Sequence, residues 1–113
     1  MPQGTLSDAK GNGGDRDRLA FGDVAVDLAA FRVTRGGRTV GMGPLEYRLL
    51  CFFLRNPCRV FSREDIIAAV WPAGTEVDFR TVDAHVARLR RALTRHGHAD
   101  PIRTVRTVGY ALG

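Results

Sequence analysis

Residues 80–93 read RTVDAHVARLRRAL and carry four arginines, an aspartate and a histidine on a regular apolar spacing. Val82, Val86, Leu89 and Leu93 recur at steps of four, three and four, which lines up one buried helix face. Arg80, Ala84, Ala87, Arg88, Arg91 and Arg95 fall on the opposite side, with Asp83 and Arg90 on one flank and His85 on the other. Guanidinium groups neutralise phosphate, and a bidentate arginine reads guanine. An aspartate can accept from a cytosine amine, and small alanines let the backbone approach base edges. The chemistry open to this face is recognition of a polyanion, with Arg88 or Arg91 reaching guanine and Asp83 reaching cytosine.

The charge distribution agrees. Residues 19–79 hold seven arginines against seven acids, whereas residues 80–113 hold seven arginines against Asp83 and Asp100, so 7 − 2 = +5 equals the whole net charge of +5. A one-sided basic patch is the electrostatic footprint of a nucleic-acid binder. With 113 residues the chain suffices for one modest domain. No apolar run approaches the roughly 20 residues that span a bilayer, and no signal peptide opens the chain, so the expected location is cytoplasmic with no membrane partner.

The elements that must position the basic face are legible in outline. Residues 1–18, rich in Gly and Asp, read as a flexible linker or tail. From Leu19 to Met42 apolar and polar residues alternate, and the Gly36-Gly37 pair signals a hairpin, which predicts three or four antiparallel strands. PLEYRLLCFFLRNP predicts a helix with Pro44 in its first turn, Pro57 past its end, and Leu45, Leu49, Phe52 and Phe53 on its apolar side. Ser62 and Asp65 form a capping-box spacing ahead of a second helix. PAGTEVD is a loop, and Asp78 is positioned to cap the arginine helix. IRTVRTVGYAL then reads as two strands around a tip near Arg106 and Thr107.

Other chemistries lack residues. Ser62 is better used as a cap than as a nucleophile, and no Gly-rich phosphate loop or paired-carboxylate signature accompanies it. His96 and His98 lie in a polar turn without the cysteines or carboxylates that would complete a metal site. Neither metal nor cofactor is expected. Cys51 and Cys58 are too few for a disulfide framework and are expected as buried free thiols, and Trp71 and the phenylalanines as core.

Three helices, the third apolar inside and basic outside, make a helix-turn-helix unit whose third helix fits a major groove about 12 Å wide. A following hairpin with arginine near its tip makes a wing for the adjacent minor groove. The run LEYRLL…NPCRVFSREDII…VW…VDFRTVDAHVARLRRAL…IRTVRTVGYAL closely resembles the winged-helix effector domain of OmpR/PhoB-type response regulators, with the PhoB branch nearest. The resemblance covers residues 19–113. It implies an α+β winged helix-turn-helix with an N-terminal antiparallel four-stranded sheet, three helices and a C-terminal β-hairpin wing, its recognition helix spanning about residues 79–95 and its wing about 102–112.

By position, the resemblance implies that Asp83, Ala84 and Arg88 lie over bases and that Arg106 probes the minor groove. It assigns Trp71, Arg80, Thr81, His85, Arg90, Arg91, Thr104 and Tyr110 to phosphates, and Pro72, Glu76 and Val77 to a loop that meets RNA polymerase. Implied partners are double-stranded DNA with direct repeats and a second copy bound head to tail. The stretch before Leu19 is too short for a receiver domain, so either an excised C-terminal half, the favoured reading, or a stand-alone member is expected. Three positions depart from the family: Cys58 and Thr107 replace usual glycines, and Ala87 stands where arginine is frequent. An alternative is a winged helix that binds protein, with weak DNA binding.

Overall fold

In the computed structural model, which describes residues 17–113, the alternating stretch forms β1 (Arg18–Phe21), β2 (Val24–Asp27), β3 (Arg32–Arg35) and β4 (Arg38–Val40). They pair antiparallel in the order β1-β2-β3-β4, as expected. Gly36 and Gly37 close the last hairpin with φ of 58° and 80°, the double left-handed conformation that a two-residue loop matching strand twist requires. Val24, Val26 and Val33 are buried, and the buried Arg35 is held by Asp23, to whose Oδ1 its Nε donates across 3.1 Å. Of the tail expected over 1–18, residues 1–16 lie outside the described residues, and β1 begins at Arg18.

The chain divides into two compact units, these strands up to Val40 and residues 41–113. In the second unit α1 (Pro44–Arg55), α2 (Arg63–Val70) and α3 (Phe79–Thr94) pack on one another. Pro44 occupies the first turn of α1. Ser62 and Asp65 form a reciprocal capping box at α2, and Asp78 caps α3 by accepting from the Thr81 N–H at 2.8 Å. The apolar stripe of α3 is buried, with Val82, Val86, Leu89 and Leu93 at most 1% exposed. Each burial contributes about 1.5–3 kcal/mol, which exceeds what an exposed ion pair offers, so the arginine face is the one left outside.

A second sheet was only half expected. β6 (Ile102–Val105) and β7 (Gly109–Leu112) form the predicted hairpin, but a two-residue strand, β5 (Phe61–Ser62), pairs with β7 and gives the order β5-β7-β6. The close approach demands glycine at position 109: a Cβ there would lie 1.8 Å from the Phe61 carbonyl oxygen.

Several burial expectations need correction. In α1 the inward side includes Leu50 and the carboxylate of Glu46 beside Leu49 and Phe53, while Leu45 and Phe52 are only half-buried. Phe31 and Phe79 are exposed: one sits in the β2–β3 turn with φ 51°, and the other is the first residue of α3, one turn before the buried stripe begins at Val82. Cys51 is buried, and burial pushes its thiol up, away from the reactive thiolate. Cys58 is exposed, its backbone turned at φ 62° with its N–H donating to the Leu112 carbonyl at 2.7 Å.

Candidate nucleic-acid interface

Arg80, Ala84, Arg88 and Arg91 are exposed along α3 and Arg95 just past its end, as the periodicity requires, and Ala87 is half-buried. Sixteen residues make this helix about 24 Å long. Arg88, Arg91 and Arg95 also border a small cleft beside Gly43, at the start of α1. Thr81 is turned inward to the cap, its hydroxyl donating to Asp78 Oδ1 at 2.9 Å. Because this carboxylate accepts from the Thr81 amide and hydroxyl, it titrates below the ordinary carboxylate range.

Asp83 is the hub of the site. Its Oδ1 accepts from Arg63 Nε at 2.7 Å and from the Tyr110 hydroxyl at 2.6 Å, so α2, α3 and β7 meet at one oxygen. Burial raises this carboxyl, but the Arg63 and Tyr110 hydrogen bonds and the Arg63 charge outweigh it and the net shift is downward. The Tyr110 ring lies against two guanidinium groups, with Arg63 at 5.4 Å and Arg90 at 5.5 Å from its centroid.

Arg90 faces the wing base. One terminal nitrogen donates to the Ile102 carbonyl at 2.8 Å, and Nε lies 3.1 Å from Asp100 Oδ2 without the alignment of a hydrogen bond. His85 Nδ1 pairs with the buried Glu46 Oε2, and its ring meets Trp71 edge-on at 5.7 Å between centroids. A carboxylate accepts only, so Nδ1 carries the proton in this pair. Trp71 itself is buried at the end of α2.

Thr104 is exposed on β6 directly opposite Tyr110, and Arg106 is exposed at the wing tip. Thr107 beside it has φ 64°, and Cys58 has φ 62°; both are left-handed conformations that glycine adopts without strain. Pro72 and Glu76 are exposed and Val77 is half-buried in the loop before α3. His96 and His98 belong to no group of metal-ligating side chains among the described residues.

The contacts thus join Trp71, His85 and Glu46 in one group and Asp83, Arg63, Tyr110, Arg90 and Thr104 in another, while Arg80, Arg88, Arg91 and Arg106 are exposed. Sequence reasoning missed Glu46 and Arg63. A signal for Glu46 was present, an acid three and four residues before Leu49 and Leu50 on an apolar helix side. Arg63 looked like one more first-turn residue, and nothing local announced a partner twenty positions away.

A model of the family described as "Transcriptional regulatory protein, C terminal" matches residues 37–112. The phosphate regulon transcriptional regulatory protein PhoB of Rhizobium meliloti is 49% identical over 94 residues, covering 83% of this chain and 41% of that protein. The transcriptional regulatory protein CseB of Streptomyces coelicolor is 47% identical over 94 residues, covering 83% and 38%. The chain therefore spans about two fifths of the length of the curated relatives it matches. Among solved structures, the AdeR DNA binding domain in complex with an intercistronic region has a TM-score of 0.76 at 27% identity, covering 82% of this chain and 96% of that one. The DNA binding domain of E. coli CadC also has a TM-score of 0.76 at 27% identity, covering 86% and 92%.

Proposed function

Since this chain belongs to the C-terminal transcriptional regulatory family, the OmpR/PhoB-type effector domains, which bind DNA and are not enzymes, we propose that it reads duplex DNA with α3 in the major groove and the β6–β7 wing in the adjacent minor groove. One observation carries the reading: Asp83 on α3 and Tyr110 on β7 share a hydrogen bond, so the basic helix face and the wing are presented to a partner as one body. A duplex is the partner whose adjacent grooves suit a helix and a wing held together.

In this reading Ala84 and Arg88 lie over bases, and Asp83 reads through Oδ2, because Oδ1 is taken by Arg63 and Tyr110. Arg106 enters the minor groove. Arg80, Arg91, Thr104 and Trp71 contact phosphates, and so does His85, whose ring Glu46 orients through Nδ1; Thr81 and Tyr110 reach phosphates by exchanging the hydroxyl bonds they make to Asp78 and Asp83. Arg90 neutralises phosphate from the wing base, where its charge is shared with Asp100. Two copies bind direct repeats head to tail, and the loop with Pro72, Glu76 and Val77 meets RNA polymerase. In the full-length protein, which acts in the cytoplasm, a receiver domain would control this module.

Fluorescence anisotropy against short duplexes with randomised centres, with selected binders titrated at several salt concentrations, tests the reading. An enriched direct repeat with about one helical turn between half-sites and a steep negative salt slope supports tandem groove reading. No enrichment and a flat slope would overturn it in favour of a winged helix that binds protein.

A further inference from the structure

The wing tip has a backbone that its sequence resists. β6 ends at Val105, β7 begins at Gly109, and the Val108 N–H donates to the Val105 carbonyl at 3.0 Å, closing a four-residue turn. Within that turn Thr107, at the third position, has φ 64°, and Arg106 is not among the positive-φ residues. That sign pattern is the one a type II turn has, and its third position favours glycine because a Cβ there crowds the preceding carbonyl oxygen. A β-branched residue at positive φ is an outlier. Here the threonine hydroxyl turns the crowding into a bond: Oγ1 donates to the Arg106 carbonyl at 2.6 Å.

We propose that Thr107 is a positioning residue for Arg106, its hydroxyl latching the Arg106–Thr107 peptide in the orientation that aims Arg106 from the wing. The physical alternative is specific. Type I and type II turns differ by a flip of their central peptide, and the type I form returns the third residue to negative φ. Backbone strain at Thr107 therefore favours the flip, and the hydroxyl opposes it. Among the described residues the Arg106 guanidinium has no hydrogen-bond or ion-pair partner, so the backbone at the tip is what sets its direction. A glycine in the same place would permit the turn yet leave both peptide orientations open. The value of the latch for recognition rests on the minor-groove reading of Arg106.

Two measurements on the whole chain separate the latch from that reading. In solution without DNA, a short Arg106 Hα to residue 107 amide distance marks the type II peptide; nuclear Overhauser data should keep it in wild type and in Thr107→Ser, and lose it in Thr107→Val. Thr107→Gly should fold with an unchanged or higher Tm and show both turn forms. If Thr107→Val and Thr107→Gly keep the wild-type contact undiluted, the latch is wrong. With the selected duplex, replacing G·C by inosine·C in the flank where the wing docks changes only the minor groove. The affinity ratio between the two duplexes should fall toward parity in Arg106→Ala, partly in Thr107→Gly and Thr107→Val, and not in Thr107→Ser. An unchanged ratio in Arg106→Ala overturns the minor-groove reading alone. A ratio that falls in Arg106→Ala but not in Thr107→Val or Thr107→Gly overturns the positioning role.

Discussion

Tyr110 donates its hydroxyl to Asp83 Oδ1 across 2.6 Å, joining the wing strand to the second turn of α3, and Arg63 donates to the same oxygen from the start of α2. Arg90 adds a second link from α3 to the wing by donating to the Ile102 carbonyl at 2.8 Å, so helix and wing are held together.

Asp83→Asn tests that junction through pH. The folded carboxyl titrates below its ordinary range, so its stabilisation is complete above the unfolded value of about 3.9 and is lost as pH falls through the lower folded value. The Tm gap between wild type and Asp83→Asn should therefore be widest near neutrality and close below about pH 4. Tyr110 moves oppositely: burial, then the Asp83 hydrogen bond and charge, hold its phenol above the ordinary range. Removing the Asp83 charge should bring that one tyrosine's absorbance titration down; an unchanged titration would disconnect the two groups.

Arg88 and Arg80, both exposed on α3, should fail differently. Arg88→Ala should lose discrimination between the selected repeat and random DNA by about 1–3 kcal/mol. Arg80→Ala should weaken binding to both DNAs alike and lower the salt slope by about one unit. Anisotropy titrations over a salt series decide both, and an equal loss on both DNAs for Arg88→Ala removes its base-reading role.

Glu46 should behave as a positioning residue. Without its carboxylate His85 Nδ1 loses its acceptor in a half-buried site, an unsatisfied group that costs about 1–3 kcal/mol. Glu46→Ala should lower Tm accordingly and weaken DNA binding irrespective of sequence, while Glu46→Gln, which retains an acceptor oxygen, should recover most of the affinity. Identical affinities for wild type and Glu46→Ala would show that the orientation of His85 is immaterial.

Gly109→Ala should be the most damaging small substitution in the wing, since its methyl would meet the Phe61 carbonyl carbon at 2.7 Å as well as the oxygen. Overpacking of this kind costs about 1–3 kcal/mol or more. Separation of β5 from β7 should appear as faster amide exchange at Phe61 and Tyr110, which are paired in register; unchanged protection would mean the strands accommodate the methyl.

All the helices and strands of this chain except β5 were determined by local signals in its sequence. The α3 stripe at Val82, Val86, Leu89 and Leu93, the caps at Ser62 and Asp78, and the Gly36-Gly37 hairpin each depend on residues within a turn or two, where periods of 3.6 and 2 and capping chemistry act directly. The +5 charge of the last 34 residues likewise identified the outward face before any fold was known. The junctions were decided by tertiary structure alone. Glu46 meets His85 across 39 positions, Arg63 meets Asp83 across 20, and Tyr110 meets Asp83 across 27. β5 is two residues long and exists only because β7 arrives beside it. Such contacts follow from how the helices pack, and no local period encodes which side chain on one helix will face which on another. The same holds for Thr107, whose residue type argues against the conformation that the closing turn imposes on it.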